Sequence, residues 1–153
     1  MLKKIAIFLL LFVALFIIDQ YIKLLFVGGF ELKGDCISLI LVYNYGVAFS
    51  MFSFLQENLK YIQILLMVSG LIYMVIKQDI FNLYYIPAAL LLAGGVSNIY
   101  DRFIHGGVVD YVYWHCGFDF AVFNFADVLI DIAVVLILWI NYKESKKSSI
   151  QKG

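Results

Sequence analysis

The sequence predicts an all-α membrane protein: a bundle of four transmembrane helices with a small β-rich cradle and a short interfacial segment on its outer side. Of its 153 residues, 64% are hydrophobic and 14% are charged. A soluble domain has about 45–50% apolar and about 25% charged residues. The chain therefore has too few polar side chains to cover a water-facing surface. This excludes a soluble globular enzyme, a disordered chain and a coiled coil.

The charge balance argues against a nucleic-acid binder. Eleven Lys and Arg residues balance eleven Asp and Glu residues, so no basic excess remains to contact phosphate groups. The two cysteines, Cys36 and Cys116, show no CxxC spacing and allow at most one disulfide. The sequence alone leaves open whether these two cysteines pair.

Four apolar stretches are long enough, or nearly so, to cross a hydrocarbon core about 30 Å thick, which takes about 20 helical residues. We expect one domain over residues 1–153, with helices over about 5–26, 59–76, 80–101 and 123–142. The start of the chain also resembles a secretory signal peptide. No small-x-small cleavage site follows, so we expect it to remain as the first helix. The continuously apolar runs exclude an outer-membrane barrel, whose strands would alternate.

The placement of lysines predicts the orientation of the bundle. One side collects the lysines before helix 1, between helices 2 and 3, and after helix 4: Lys3, Lys4, Lys77, Lys143, Lys146, Lys147 and Lys152. The other side has Lys33, Lys60 and Arg102. By the positive-inside rule, both termini are cytoplasmic, and residues 27–58 and 102–122 are external.

The two external segments show strand-like patterns. The first has apolar residues at alternate positions: Ile37, Leu39, Leu41 and Tyr43. The second has the same pattern: Val109, Tyr111 and Tyr113. Such alternation predicts strands, and for the first of them one buried face. The first segment also contains residues that suit a short interfacial segment: Phe49, Phe52, Phe54 and Leu55.

Polar side chains lie at the predicted outer ends of three helices. On each helix they share one face: Asp19 and Lys23, then Asn98, Asp101 and Arg102, then Asn124, Asp127 and Asp131. An ionisable side chain at membrane depth costs at least ~2.5–3.5 kcal/mol, so each is a candidate functional group. Asp110 follows across the Gly106-Gly107 turn. Because these helix ends meet in one layer, the pattern predicts an active site there.

Some of these groups are expected to be structural. Asp19 and Lys23 have the favourable i, i+4 order of an intrahelical ion pair. We expect Asp101 and Arg102 to form a salt-bridged clamp. Asp131, a full turn deeper, is expected to be a buried, hydrogen-bonded or protonated acid.

Metal and phosphate sites are not indicated. His105 and His115 have no ligand partner at metal spacing, so we expect no metal and no cofactor. The small residues of 88–97 are typical of close helix packing and not of a phosphate-binding loop.

Asp110 and Asp127 remain as two carboxylates without an obvious basic partner. Two such groups in a poorly solvated site cannot both ionise easily, so the pair shares a proton. An aspartic protease uses this arrangement: one carboxylate activates water, and its protonated partner polarises the carbonyl and later donates to the amine.

Five short motifs occur in order along the four helices: Asp19-Gln20-x-x-Lys23, Asn44-x-Gly46-x-Ala48-Phe49, Asn98-x-x-Asp101-Arg102, Gly107-x-Val109-Asp110 and Phe123-Asn124-x-Ala126-Asp127. Together they resemble the bacterial lipoprotein signal peptidase (signal peptidase II) family. The resemblance implies a membrane aspartyl endopeptidase that needs no metal. It also implies removal of signal peptides from diacylglyceryl-modified prolipoproteins, on the amino side of the lipidated cysteine.

The resemblance implies Asp110 and Asp127 as the catalytic pair. It implies substrate-binding or supporting roles for nine further residues: Asp19, Lys23, Asn44, Gly46, Asn98, Asp101, Arg102, Asn124 and Ala126. The chain departs from the family pattern at Ser97, where the family usually has glycine. Because serine is also small, we expect slightly altered helix packing and no loss of activity.

The implied partners are diacylglyceryl-prolipoprotein substrates and membrane lipid, with no nucleic acid, and we expect a monomer. The implied location is the bacterial inner membrane, with the active site at the periplasmic face.

The alternative is a small polytopic transporter or proton-conducting membrane protein that uses intramembrane acids. It predicts acids at graded depths, whereas Asp79 and Glu144 on the cytoplasmic side fall in a loop and the tail. A metal-dependent protease is disfavoured because the sequence has no HExxH motif.

Overall fold

The structure, a computed structural model, describes residues 1–46 and 58–151. Within these residues, four helices and two strands follow one another in the order α1 Leu2–Val27, β1 Ile37–Asn44, α2 Asn58–Ile76, α3 Gln78–Ile104, β2 Val108–Trp114 and α4 Phe125–Gln151. The expected interfacial residues Phe49, Phe52, Phe54 and Leu55 lie outside the described residues, as does Ala48 of the second motif.

Each of the four helices is long and apolar enough to cross a membrane. The predicted fold class, a four-helix membrane bundle with a small sheet, is confirmed. The expectation that helix 4 ends at Tyr142 is wrong, since α4 continues to Gln151. Its last turns are rich in residues that favour helix, and Lys147 pairs with Glu144 at 2.5 Å across i, i+3.

Helix α3 is the centre of the bundle and packs against α1, α2 and α4. Its small residues allow this close approach: Ala89 and Ala93 are fully buried. A Cβ atom at Gly94 would overlap the carbonyl oxygen of Ala126 on α4. The small-residue run therefore serves helix packing, as the sequence indicated.

The two strands form an antiparallel sheet with an irregular register. Leu39 lies opposite Val112, but Val42 lies opposite Asp110, so β1 has one extra residue between these pairs. This β-bulge shifts the later part of β1 by one position relative to β2. Asn44, opposite Val108, thereby comes to the same face of the sheet as Asp110.

The expectation of one buried face on β1 is wrong. Ile37 and Leu41 are 46% and 37% exposed, whereas Ser38 is buried. The physical reason at the start of β1 is that the Ser38 hydroxyl hydrogen-bonds with Gly34 and His115, so this polar residue and not Ile37 lies on the covered face.

The sheet is fixed to the bundle at one end and closed by a disulfide at the other. The rings of Phe26 on α1 and Tyr111 on β2 stack with centroids 4.3 Å apart. Gly106, with φ of +76°, turns the chain from α3 into β2. At the far end of the sheet, Cys36 and Cys116 form a disulfide, which answers the question left open by the sequence. The sheet therefore holds Asp110 close to the helix ends.

Candidate active site

A continuous set of hydrogen-bonded polar side chains lies where α1, α3, α4 and the sheet meet. Most of these side chains are buried: Asp19, Lys23, Ser97, Asn98, Asp101, Arg102, Asp110 and Asn124. In water-free surroundings such groups are tolerated only when their hydrogen-bonding atoms have partners. Among the described residues, the contacts below supply partners for these groups except for Arg102 Nε, which is buried without a hydrogen bond, and they fix the geometry of the site.

Lys23 occupies the middle of this set. Its ammonium group lies 2.8 Å from the Asp19 carboxylate and 2.7 Å from the Asp101 carboxylate. It also donates to the side-chain oxygen of Asn98 at 2.8 Å. The three contacts use all three donors of the ammonium group and join α1 to α3.

The expected salt bridge between Asp101 and Arg102 is wrong. Asp101 turns towards Lys23 and also accepts from the backbone N–H of Val109 at 3.1 Å. Arg102 turns the other way and donates from Nη2 to the carbonyl oxygen of Gly46. Adjacent residues on a helix point in different directions, so they do not face each other. Asp101 therefore positions the start of β2, and Arg102 holds the chain just after β1.

The first turn of α4 is held by side chains from α1 and β2 and by its own cap. The backbone N–H of Phe125 donates to the Tyr111 hydroxyl at 3.0 Å, and that of Ala126 donates to Asp19 at 2.9 Å. Asn124 accepts from the N–H of Asp127 at 2.8 Å, and Asp127 accepts from the N–H of Asn124 at 3.1 Å. This reciprocal pair is a capping box with aspartate in the usual Glu position. The N–H groups that a helix start leaves unpaired are thus satisfied, and Asp127 is fixed by its own cap.

Asp110 and Asp127 are connected through amide side chains. Asn124 donates to Asp110 Oδ1 at 2.7 Å, and Asn44 donates to Asp110 Oδ2 at 3.0 Å. Asn98 donates to Asp127 Oδ1 at 2.9 Å. Asn124 therefore contacts both acids, one through its side-chain amide and one through the cap. Gly46 supports Asn44 by donating its N–H to the Asn44 side-chain oxygen at 2.9 Å.

The environment of Asp110 favours its protonated form. Burial, and then the negative charge of Asp127, raises the pKa of Asp110 to about 7. The hydrogen bonds from Asn44 and Asn124 and the charge of Lys23 act in the opposite direction. The carboxyl group can therefore gain or lose a proton near neutral pH, which a general acid requires.

Both acids line one cavity of about 580 Å³. Asn44, Asn98 and Arg102 provide its polar wall, and apolar residues such as Phe120 and Phe123 provide the rest. A cavity with two carboxyl groups, amide donors and apolar walls can bind a peptide segment and move protons at one bond.

Asp131 also lines this cavity, and the expectation that it is buried is wrong. Its side chain is exposed. The physical reason is that the face of α4 that carries Asp127 continues along the cavity wall at Asp131, one turn deeper.

The histidines take no part in the cavity lining. His115 Nε2 lies 3.0 Å from the hydroxyl of Ser38, and the His105 ring lies 5.8 Å from the ring of Tyr43. Within residues 1–46 and 58–151, no group of three His, Cys, Asp or Glu side chains could hold a metal ion.

Sequence reasoning missed three contributors. The Ser97 hydroxyl donates to Asp19 at 2.5 Å and accepts from Gln20 at 2.7 Å, so the residue that departs from the family pattern is part of the network. Gln20 also donates to Asp101 at 2.8 Å. Ser97 and Asp101 are spaced i, i+4 on one face of α3, and this spacing could have indicated that Ser97 belongs to the network. The role of the Tyr111 hydroxyl at the start of α4 had no sequence signal.

Comparison with known proteins gives a consistent result. Residues 11–143 match the family model described as signal peptidase (SPase) II, Peptidase_A8. A lipoprotein signal peptidase of Sulfurimonas denitrificans is 62% identical, over 92% of this chain and 91% of that protein. One from Wolinella succinogenes is 54% identical, over 89% and 93%.

The fold is also similar to solved structures. A bacterial membrane enzyme determined by the in meso method at 2.3 Å resolution has a TM-score of 0.81 and 27% identity, covering 94% of this chain and 92% of that one. A second such enzyme, at 1.9 Å, has a TM-score of 0.72 and 28% identity, over 88% and 91%. The family resemblance read from the five motifs is confirmed. The chain, a protease with several membrane-spanning helices, therefore belongs to the signal peptidase II family.

Proposed function

We propose that this protein is an aspartyl endopeptidase that removes signal peptides from diacylglyceryl-modified prolipoproteins, cleaving on the amino side of the lipidated cysteine. The observation that carries the proposal is that Asp110 and Asp127 line one cavity and are joined through Asn124. The relatives named lipoprotein signal peptidase support the substrate class.

In the proposed reaction, Asp110 is the acid and Asp127 is the base. The pKa of Asp110 is raised to about 7, mainly by burial. Asp127 lies in the first turn of α4 and accepts hydrogen bonds from Asn124 N–H and Asn98, which hold its carboxyl oxygens in place. Asp127 takes a proton from a water molecule, whose oxygen attacks the scissile carbonyl carbon. Asp110 donates a proton to the carbonyl oxygen.

The tetrahedral intermediate then collapses. The C–N bond breaks, the leaving amine takes the proton held by Asp127, and Asp110 recovers its own proton from the hydroxyl group as the new carboxyl group forms. The remaining residues of the network position the pair. Asp19 and Ala126 anchor the start of α4, Asp101 anchors the start of β2, and Arg102 holds Gly46.

The proposed location is the bacterial inner membrane, with both termini cytoplasmic and the active site at the periplasmic face. Three observations support it: the lysines at the opposite end of the bundle, the polar network at this end, and the disulfide between Cys36 and Cys116. Disulfides persist in oxidising compartments such as the periplasm. The proposed state is a monomer, because the two acids and the amide side chains that contact them form a connected site without a second copy.

Cleavage of a diacylglyceryl-modified prolipoprotein by the purified protein tests this proposal. Asp110→Asn and Asp127→Asn should each abolish cleavage, and the double variant should be no worse, because residues that act as one unit are non-additive. Asp119→Asn, on the exposed acid that accepts from Tyr113, is the control and should keep activity. Cleavage by either Asn variant would refute the mechanism. Loss of cleavage with a chelator would indicate a metalloprotease.

A further inference from the structure

The disulfide between Cys36 and Cys116 joins the two external segments at the end of the sheet that lies away from the two acids. Cys36 directly precedes β1, and Cys116 follows the last residue of β2 by two positions. The N–H of His115 also donates to the carbonyl oxygen of Cys36 at 2.9 Å. The disulfide and this hydrogen bond therefore fix the residue before β1 to the chain that leaves β2.

The chain that leaves β2 becomes one wall of the active-site cavity. Four consecutive apolar residues of this connection line the cavity: Phe120, Ala121, Val122 and Phe123. The last of them, Phe123, is held by backbone hydrogen bonds with Val112. Before it the chain makes a turn, in which the N–H of Phe120 donates to the carbonyl oxygen of Trp114 at 2.9 Å. Cys116 lies within this turn, so the disulfide anchors the turn that carries Phe120.

The position of Asp110 is fixed by contacts at the other end of the sheet. Its carboxyl oxygens accept from Asn124 at 2.7 Å and from Asn44 at 3.0 Å. The N–H of the preceding residue, Val109, donates to Asp101 on α3 at 3.1 Å. These partners come from the helices and from the end of β1 that is distant from the disulfide. Opening the disulfide should therefore leave the acid in place and loosen the wall that faces it.

The disulfide is also accessible to thiol–disulfide exchange. Cys36 is exposed and Cys116 is half-buried. Both lie in segments that the proposed orientation places in the periplasm, an oxidising compartment. To form the bond, the two thiols lose two protons and two electrons, and the disulfide of a dithiol oxidoreductase takes them up and becomes a dithiol. A dithiol reductant reverses this reaction and is itself oxidised to a disulfide.

We propose that the Cys36–Cys116 disulfide positions the apolar wall of the active-site cavity, so that binding of the substrate, and not cleavage of the bond, depends on the oxidised state. The inference rests on the proposed function. In the oxidised protein the substrate meets a wall that is already in place. In the reduced protein the substrate must order the turn that carries Phe120, and this ordering weakens binding.

The experiment measures kcat and KM for a diacylglyceryl-modified prolipoprotein, with the purified protein before and after reduction by dithiothreitol. A thiol titration establishes that both cysteines are reduced. Reduction should raise KM about fivefold, the factor expected from ordering one or two additional side chains on binding. The value of kcat should stay unchanged, because only binding is weakened. Reoxidation with oxidised glutathione should restore the original KM.

Variants separate the wall from other effects of the reductant. The double variant Cys36→Ser/Cys116→Ser should show the raised KM with and without dithiothreitol. Phe120→Ala should also raise KM, and reduction should then add little, because the disulfide acts through this side chain. Lys33→Gln changes an exposed residue of the first external segment and should keep the wild-type KM and its response to reduction.

The split between KM and kcat distinguishes positioning from a general contribution to folding. A purely structural disulfide would lower the amount of active protein on reduction, so the apparent kcat would fall at an unchanged KM. That result, an unchanged KM in fully reduced protein, or a full response to reduction in Phe120→Ala would overturn the inference and leave the proposed function intact. Failure of the oxidised and the reduced protein to cleave the substrate would overturn both.

Discussion

Removing the side chain of Asn44 should move the pH dependence of cleavage in a defined direction. Asn44 donates to Asp110 at 3.0 Å, and this bond favours the charged carboxylate. It partly offsets burial and the charge of Asp127, which together raise the pKa of Asp110 to about 7. Without the bond, Asp110 should hold its proton to higher pH.

The sign follows from the role of Asp110 as the acid. The protonated form is the active one, so wild-type kcat/KM should fall as the pH rises through about 7. A hydrogen bond to a charged group contributes about 1.5–3 kcal/mol, and one pH unit corresponds to about 1.36 kcal/mol. Asn44 is half-buried, so the lower value applies. In Asn44→Ala the alkaline limb should move up by about one pH unit.

The assay is kcat/KM for a diacylglyceryl-modified prolipoprotein, measured between about pH 5 and pH 9. The maximum kcat/KM of Asn44→Ala should also fall, but the pH at the midpoint of the alkaline limb does not depend on the height of that maximum. Tyr113 lies on the same strand as Asp110 and donates a hydrogen bond to Asp119. Tyr113→Phe removes that bond and should leave the alkaline limb at the wild-type pH. A limb that stays at the wild-type pH in Asn44→Ala, or moves to lower pH, would refute Asp110 as the acid.

Three further predictions follow from the fold and its network. Asp19→Ala removes the acceptor for Lys23, for the Ser97 hydroxyl and for Ala126 N–H. The free energy of unfolding should therefore fall by about 3 kcal/mol, and the yield of folded protein should fall with it. A normal yield of inactive protein would contradict this. Gly94→Ala should destabilise by about 1–3 kcal/mol in thermal unfolding, because its Cβ meets the backbone of α4, whereas Gly70→Ala, with open space around it, should not. In whole cells, Lys33→Cys should react with a membrane-impermeant thiol reagent and Lys143→Cys should not; the reverse pattern would overturn the orientation.

The fold could be predicted from the sequence because hydropathy and helix length determine which segments cross a membrane. The meeting of Asp19, Asn98 and Asn124 at one end of the bundle also followed, since each helix shows its polar residues on one face near one end. These expectations needed no knowledge of contacts between particular atoms.

Other features depend on rotation and register, which a single sequence does not contain. Asp101 and Arg102 are neighbours in sequence, but only the rotation of α3 decides that Asp101 faces Lys23. The exposure of Asp131 depends on a cavity whose walls come from α2, α3, α4, both strands and the β2–α4 connection. The disulfide between Cys36 and Cys116 depends on the pairing of strands far apart in the chain.

Because the end of β1 pairs with β2 in one register, the number of residues in β1 matters more to the site than which apolar residues they are. Apolar exchanges at Ile40 or Leu41 would keep the register, and the connection before β1 could gain or lose residues without effect on the site. A single deletion between Val42 and Asn44 would instead place Asn44 opposite Val109, on the other face of the sheet, and separate it from Asp110. Hydropathy would hardly change, yet the acid would lose a partner. Insertions and deletions in this short stretch should therefore be rarer among active family members than substitutions.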